Sequence, residues 1–445
     1  MSAAANAFPQ AIARAQAKPN GHHPDWLKGL RRSAFQWVSE HGFPTAKDDA
    51  WKYTRVAPIW DVPFEPAEPG TNRRLSAGTI DQLANDFGGP RLVFVNGYFA
   101  ADLSSLKRLS DGVQVASLAS VLADDGEALE PILSRPFRED PHVFTALNAA
   151  LAEDGAFIRI PANTTVEEPI HLVFLSDAGP TPLASHLRSL VLVGAGSRTT
   201  IIETHAGILG GVYLSNAVTE VVLDEGATVE HYKVQSETET AFHVALLSVR
   251  LGRDSRFSAH SVALGSSIAR HEVKVMLEAP GAEVVLNGLY MPRGEQHLDN
   301  PTTIEHAAPQ CTSRELYKGV VDGRGRGVFD GRIVVHPGAM KTDASQTNKN
   351  LLLSESAQAD TRPRLEIFAD DVKCAHGAAV GQLDQDAVFY LRSRGLSVAA
   401  ARGLLTYAFA AEMLGLIRVE LLRAHVEKMI AWRLGLGTHG GGLAA

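Results

Sequence analysis

Two residues in this 445-residue chain are spaced for metal chemistry. Cys374 and His376 stand at i and i+2 in the segment LEIFADDVKCAH. If that segment is extended, both side chains leave one face of a strand with Cα atoms about 6.6 Å apart, close enough to address a single metal ion or cluster. Thiolate and imidazole both ligate iron and zinc, but a tetrahedral centre wants about four ligands. The pair is therefore either half of a site that another chain completes or a coincidence of spacing.

The other residues that could do chemistry read as architecture. DGRGRG, Asp322 to Gly327, has the glycines of a phosphate-cradling loop, yet no Lys-Ser/Thr follows and no helix opens behind it, so the segment predicts a turn and not a nucleotide site. His260, His271, His297, His306 and His336 lack metal-ligand spacing and read as turn or surface histidines. Asp370 and Asp371 suggest the clustered carboxylates of polysaccharide-cleaving enzymes, but adjacent residues on a strand point to opposite faces and cannot pair. Cys311, in AAPQCTSRELY, reads as part of a loop outside any site.

Composition bounds the class. Apolar residues make up 45% of the chain and charged residues 21%, the balance of a folded globular protein. A net charge of −8, with the basic residues scattered, argues against nucleic acid as a partner. Two cysteines exclude a disulfide framework and favour a reducing compartment, the cytoplasm. The apolar stretches Leu190–Val193 and Leu404–Ile417 fall short of the roughly 20 residues a membrane span requires, and Glu412 interrupts the second. The opening MSAAANAFPQAIARAQAK lacks the apolar core of a secretory signal and predicts an amphipathic helix.

The elements that must position Cys374 and His376 follow from periodicity. Trp26, Leu30, Phe35, Trp37 and Val38 fall near helical spacing, a Pro/Gly-rich run covers Pro58–Gly89, and RLVFVNGYFA predicts a strand ending in an Asn-Gly turn at Asn96 and Gly97. A mostly helical domain is expected over residues 1–152. Beyond Phe157 strand-like runs alternate with small polar turns, and one phrase recurs: LVGAGSRTTI, LDEGATVEHY, LGRDSRFSAH and LEAPGAEVVL, at intervals of about 30, 28 and 26 residues. Strand–turn–strand units at that period, without helices between them, predict a parallel β-helix over 153–381, whereas a β-sandwich would show hairpin turns more often. Helices return over 382–436, with Asp384 and Ser397 as N-caps, and a flexible Gly-rich tail is expected over 437–445.

The segment from Arg314 to Ser397, RELYKGVVDGRGRGVFDGRIVVHPGAMKTDASQTNKNLLLSESAQADTRPRLEIFADDVKCAHGAAVGQLDQDAVFYLRSRGLS, resembles the SufB/SufD family of iron–sulfur cluster assembly proteins. FPTAKDDAWKYTRV and FTALNAALAEDGAFIRIPANTTVEEPI are similar to further family segments, so the resemblance covers nearly the whole chain. SufB-type chains tend to be longer and richer in cysteine; with two cysteines and no CxxC this one resembles the SufD-type branch. The resemblance implies a mainly β fold, a right-handed parallel β-helix flanked by N- and C-terminal helical domains. It also implies a SufB-like β-helix partner and a SufC-like ABC-type ATPase on the C-terminal helices. Cys374 and His376 match the positions implicated in the cluster-forming junction between two solenoids, where a nascent iron–sulfur cluster is held transiently and shared.

The expectation is a non-catalytic scaffold, and since nothing in the chain resembles an ATP-binding motif, ATP hydrolysis is expected in the partner. Leu404, Phe409, Met413 and Leu416, apolar beyond the needs of one small bundle, are expected to dock the ATPase. The isolated chain is expected to bind iron poorly, with a homodimer as its alternative oligomer. Two readings from other classes compete: a β-helix polysaccharide lyase or hydrolase, and a homodimeric metal-storage protein.

Overall fold

The computed structural model describes residues 24–70, 75–106, 109–208 and 210–436. The expected N-terminal amphipathic helix and the tail lie outside them. The fold is mainly β, with 40% of residues in strands against 25% in helices, and its body is a parallel solenoid of about eight turns.

Each coil gives one strand to each of two sheets. The eleven-stranded sheet runs through Leu183–Val193, Tyr213–Leu223, Phe242–Leu251, Ile268–Leu277, His297–His306 and Arg326–Val335 to Gln358–Thr361. The ten-stranded sheet runs through Arg198–Gly207, Thr228–Ser236, Arg256–Ala263, Glu283–Tyr290, Thr312–Val321 and Asp343–Leu352 to Lys373–Gln382. Pairing along the coils is parallel and in register, so each inward residue stacks on its counterpart one coil away, for example Lys233 on Ser261 and Glu203.

The recurring phrase is the corner between the sheets. Gly196 (φ 69°), Gly226 (φ 65°), Asp254 (φ 52°) and Gly281 (φ 76°) occupy the left-handed region at successive corners. The N–H groups of the first three donate to Glu225, Arg253 and Pro280 of the next coil. At Gly281 the requirement is also steric, because an added Cβ would sit 2.0 Å from Asp254 Oδ1. Asp371 (φ 55°) is another such corner, so the Asp370–Asp371 pair precedes a strand and does not lie within it. DGRGRG is likewise a turn between Thr312–Val321 and Arg326–Val335, as its sequence predicts.

Helices roof both outer faces. The helix Asp25–His41 packs Leu27, Leu30 and Ala34 with Val143–Leu151 over Leu190, Leu214, Phe242 and Ile268 of the larger sheet. The helices Val398–Leu414 and Glu420–Arg433 bury Ala410, Met413, Leu414, Val426 and Ile430 against Tyr232, Val262, Leu289 and Val320 of the other sheet. Asp384 and Ser397 cap their helices as expected, accepting hydrogen bonds from the N–H groups of Asp386 and Ala400. The strand and Asn-Gly turn expected in RLVFVNGYFA are present. Arg91–Val95, which turns through Asn96 and Gly97 into Tyr98–Phe99, pairs in parallel with Ile170–Ser176 and so extends the solenoid sheet upstream.

Candidate cluster site at the solenoid mouth

The strand Lys373–Gln382 ends the ten-stranded sheet. It pairs on one side only, with Asp343–Leu352, and its other side is an open edge of backbone donors and acceptors. Register places Cys374 beside Ala344 and His376 beside Gln346. Ala344 and Gln346 are buried, so Cys374 and His376 share the inward face of the strand, as their spacing predicts. No coil follows, and that face therefore opens on a mouth. Cys374 is half-buried, packed on the apolar core beside Leu365, Ala369 and Val372, while His376 is exposed. Ile367, Phe368 and Val380 form an exposed apolar rim. Across the mouth, the larger sheet ends in the short strands Gln358–Thr361 and Arg364–Ile367, both paired to Arg326–Val335.

The chemistry of the mouth is incomplete. Burial, and then the negative charge of Asp343, push the Cys374 thiol above its ordinary pKa, which favours the protonated thiol in the chain alone. Among the described residues no group of three or more His, Cys, Asp or Glu side chains is placed to hold a metal ion.

Comparison with known proteins settles the family. The family model "SUF system FeS cluster assembly, SufBD core domain" matches residues 174–409, and "SufBD protein N-terminal region" matches residues 4–172. The chain belongs to the SufB/SufD family of iron–sulfur cluster assembly proteins. It is 33% identical to an iron–sulfur cluster assembly SufBD family protein of Synechocystis, over 94% of this chain and 93% of that one. It is 32% identical to the iron–sulfur cluster assembly protein SufD of Escherichia coli, over 93% of this chain and 96% of that one. Identity to the SufD of Bacillus subtilis is 26%, over 92% and 94% of the two chains.

In this SufB/SufD family member the second cysteine stands apart from the mouth. Cys311 is fully buried in the solenoid core, its Sγ facing the carbonyls of Ala279 and Pro309, and burial raises its pKa; both cysteines are free.

The four residues expected to meet the ATPase divide. Leu404 and Leu416 are exposed, at 43% and 38%. Met413 is buried at 4%, against the ten-stranded sheet, and Phe409 is half-covered beneath Lys318, whose ammonium lies 4.3 Å from the ring centre. Met413 is thus a packing residue and no part of an outer surface: its helix is apolar on several faces, and the sheet takes the one that carries it.

The histidines are not the turn and surface residues their spacing suggests. His271 and His306 are buried on strands, the latter against Ser313 Oγ at 2.9 Å; His260 stacks on Tyr232; His297 meets Thr54. His336 alone of the five follows a strand, and pairs with Glu305.

A buried polar cluster escaped sequence reading altogether. The imidazoles of His205 and His231 lie 3.4 and 3.3 Å from Glu203, and His243 lies 2.8 Å from Glu237. Burial opposes ionisation of Glu203, but its histidine neighbours hold it well below the usual carboxylate range. Lys233, buried beside them, is lowered to about 8 by burial. The available signal was the placing of polar residues at alternate positions in Ile201–His205 and Val229–Gln235, inward-facing in a coil.

Proposed function

We propose that the chain is the SufD-type scaffold subunit of a SufBCD-type iron–sulfur cluster assembly complex. The observation that carries this reading is the mouth: a thiol and an imidazole on the inward face of an unpaired terminal strand, too few to close a metal site, framed by open sheet edges and an apolar rim. A SufB-like solenoid pairing with those edges extends both sheets, covers Ile367, Phe368 and Val380, and adds the missing ligands. The nascent cluster is then shared cargo, held between two chains and by neither alone.

A SufC-like ATPase docks on the outer side of the C-terminal helices, where Phe389, Tyr390, Val398, Leu404, Leu421 and Trp432 are exposed. The chain itself is non-catalytic, and ATP hydrolysis belongs to that partner. Cytoplasmic residence fits the two free cysteines. Among the described residues, no helix is long and apolar enough to cross a membrane.

The test is co-purification of the tagged chain with untagged host proteins. Recovery of a SufB-like chain and an ABC-type ATPase at stoichiometric yield supports the reading; a homodimer recovered without either contradicts it.

A further inference from the structure

Behind the mouth a polar file runs along three successive strands. Glu315, Gln346 and His376 are cross-strand partners in register, so their side chains leave the same face about 4.8 Å apart. Glu315 and Gln346 are 3% and 1% exposed. A carboxylate and an amide so deeply placed want partners, and Gln346 Nε2 donates to Glu315 Oε2 at 2.8 Å. The lumen makes room for this amide: at Gly331, in the opposite sheet, an added Cβ would lie 2.0 Å from Gln346 Nε2.

Two atoms of the file are left over, Glu315 Oε1 and Gln346 Oε1. Among the described residues Gln346 Oε1 is buried and has no hydrogen-bond partner. A buried amide oxygen without a donor costs roughly 1–3 kcal/mol, so a donor is wanted there. The amide nitrogen is committed to Glu315 on one neighbouring strand, and the residue beside Gln346 on the other is His376. An imidazole that binds a metal through one nitrogen ordinarily donates its other N–H to an oxygen, which fixes its tautomer and its orientation.

We propose that Gln346 is the positioning residue of His376: its carboxamide oxygen accepts one ring N–H, leaving the other ring nitrogen with a free lone pair directed to the mouth. Glu315 acts one step further back. By accepting from Gln346 Nε2 it sets which end of the amide faces His376. The inference rests on the reading of His376 as a cluster ligand but is tested separately from it.

The test uses the full chain labelled with 15N-histidine. Long-range 1H–15N spectra are recorded at about pH 8, where imidazoles are ordinarily neutral, and His376 is identified by its loss in His376→Ala. The wild type shows His376 in one tautomer nearly to the exclusion of the other. Gln346→Met, similar in length and without the amide, shows a tautomer mixture, and the exchanged pair Glu315→Gln with Gln346→Glu restores the single tautomer, since the amide and carboxylate have only traded places. A wild-type mixture, or a single tautomer that survives in folded Gln346→Met, overturns the proposal. In complex with a SufB-like chain, Gln346→Met lowers cluster yield at limiting iron by about tenfold, the ordinary effect of losing a ligand's outer partner; unchanged yield there also overturns it. Should His376→Ala leave the yield intact, the reading of the mouth as the cluster site fails, whatever the tautomer spectra show.

Discussion

Ala344 and Cys374 are neighbours across the last rung of the ten-stranded sheet, and between them the solenoid passes from closed to open. Ala344 is 2% exposed within the core, whereas one coil later the strand carrying Cys374 is uncovered along most of its length.

Cys374 is expected to be a sluggish nucleophile in the isolated chain. Its pKa is raised by burial and by Asp343, so the thiolate is scarce near neutrality and accumulates only above the ordinary thiol range. Alkylation of a Cys311→Ser variant, followed by mass spectrometry across the pH range, should give a rate that climbs into the alkaline region. A rate already at plateau near neutral pH contradicts the assignment. Cys311, fully buried, should stay unmodified until the chain unfolds.

The C-terminal helices should separate packing from docking. Met413→Ala removes a buried side chain from the helix–sheet layer and should cost about 3 kcal/mol in denaturant unfolding. Leu404→Asp with Leu416→Asp should change stability by no more than about 0.5 kcal/mol each while weakening ATPase capture. Capture undiminished by the pair would move the docking surface elsewhere. Point substitutions are the proper probe, because removing the helices would bare Tyr232, Val262 and Leu289.

These helices show where sequence reading ends. Caps at Asp384 and Ser397 and the left-handed corners at Gly196, Gly226 and Gly281 are local demands on one residue, and each is legible in the chain. The strand placing Cys374 and His376 on one face is legible for the same reason. Which apolar residue of Val398–Leu414 meets the sheet is not, since Leu404, Phe409 and Met413 differ only in what the solenoid lays against them. The Glu203 cluster is not legible either: Glu203, His231 and His243 are far apart in sequence and meet only through the coil-to-coil register.

That cluster and its fellow histidines should make the protein acid-sensitive. Burial lowers His171 to about 3 and His186, His205, His260 and His306 to about 4, against an ordinary 6.5. Below about pH 6.5 the unfolded chain takes up protons that the fold refuses, so this stability is present above pH 6.5 and lost as pH falls toward 4. Glu315 works in the opposite sense. Burial raises it to about 7 against the hydrogen bond from Gln346, so its contribution is present below its ordinary 4.5 and lost as pH rises through 7. Thermal melts should show Tm falling from pH 7 to pH 5, and Glu315→Gln should steepen that fall. A Tm independent of pH over this window contradicts the buried neutral histidines.

The N-terminal segment should hold the rim of the mouth. Arg362 donates to Asp49 at 2.7 Å and to Asp330, and the guanidiniums of Arg362 and Arg326 lie 5.6 and 6.0 Å from the Tyr53 ring centre. These contacts tie residues 49–53 to the last coil of the larger sheet. In hydrogen exchange read by mass spectrometry, Tyr53→Ala should speed exchange over residues 358–367 and leave the coils around Thr228–Ser236 unchanged. Equal exchange in the two proteins would show that the segment does not brace the rim.

The central claim is that the site is completed only when two solenoids meet, and anaerobic cluster reconstitution reads it directly. Iron and sulfide are supplied to the isolated chain, to a SufB-like chain, and to their complex, and cluster is followed by its visible absorbance with iron and sulfide counted per complex. The account predicts little cluster on the isolated chain, a stable cluster on the complex, and loss of that cluster with His376→Ala or Cys374→Ser in complexes that still assemble, while Cys311→Ser is without effect. A full cluster on the isolated chain would contradict it. So would a complex whose yield is unchanged by both mouth substitutions and falls with Cys311→Ser.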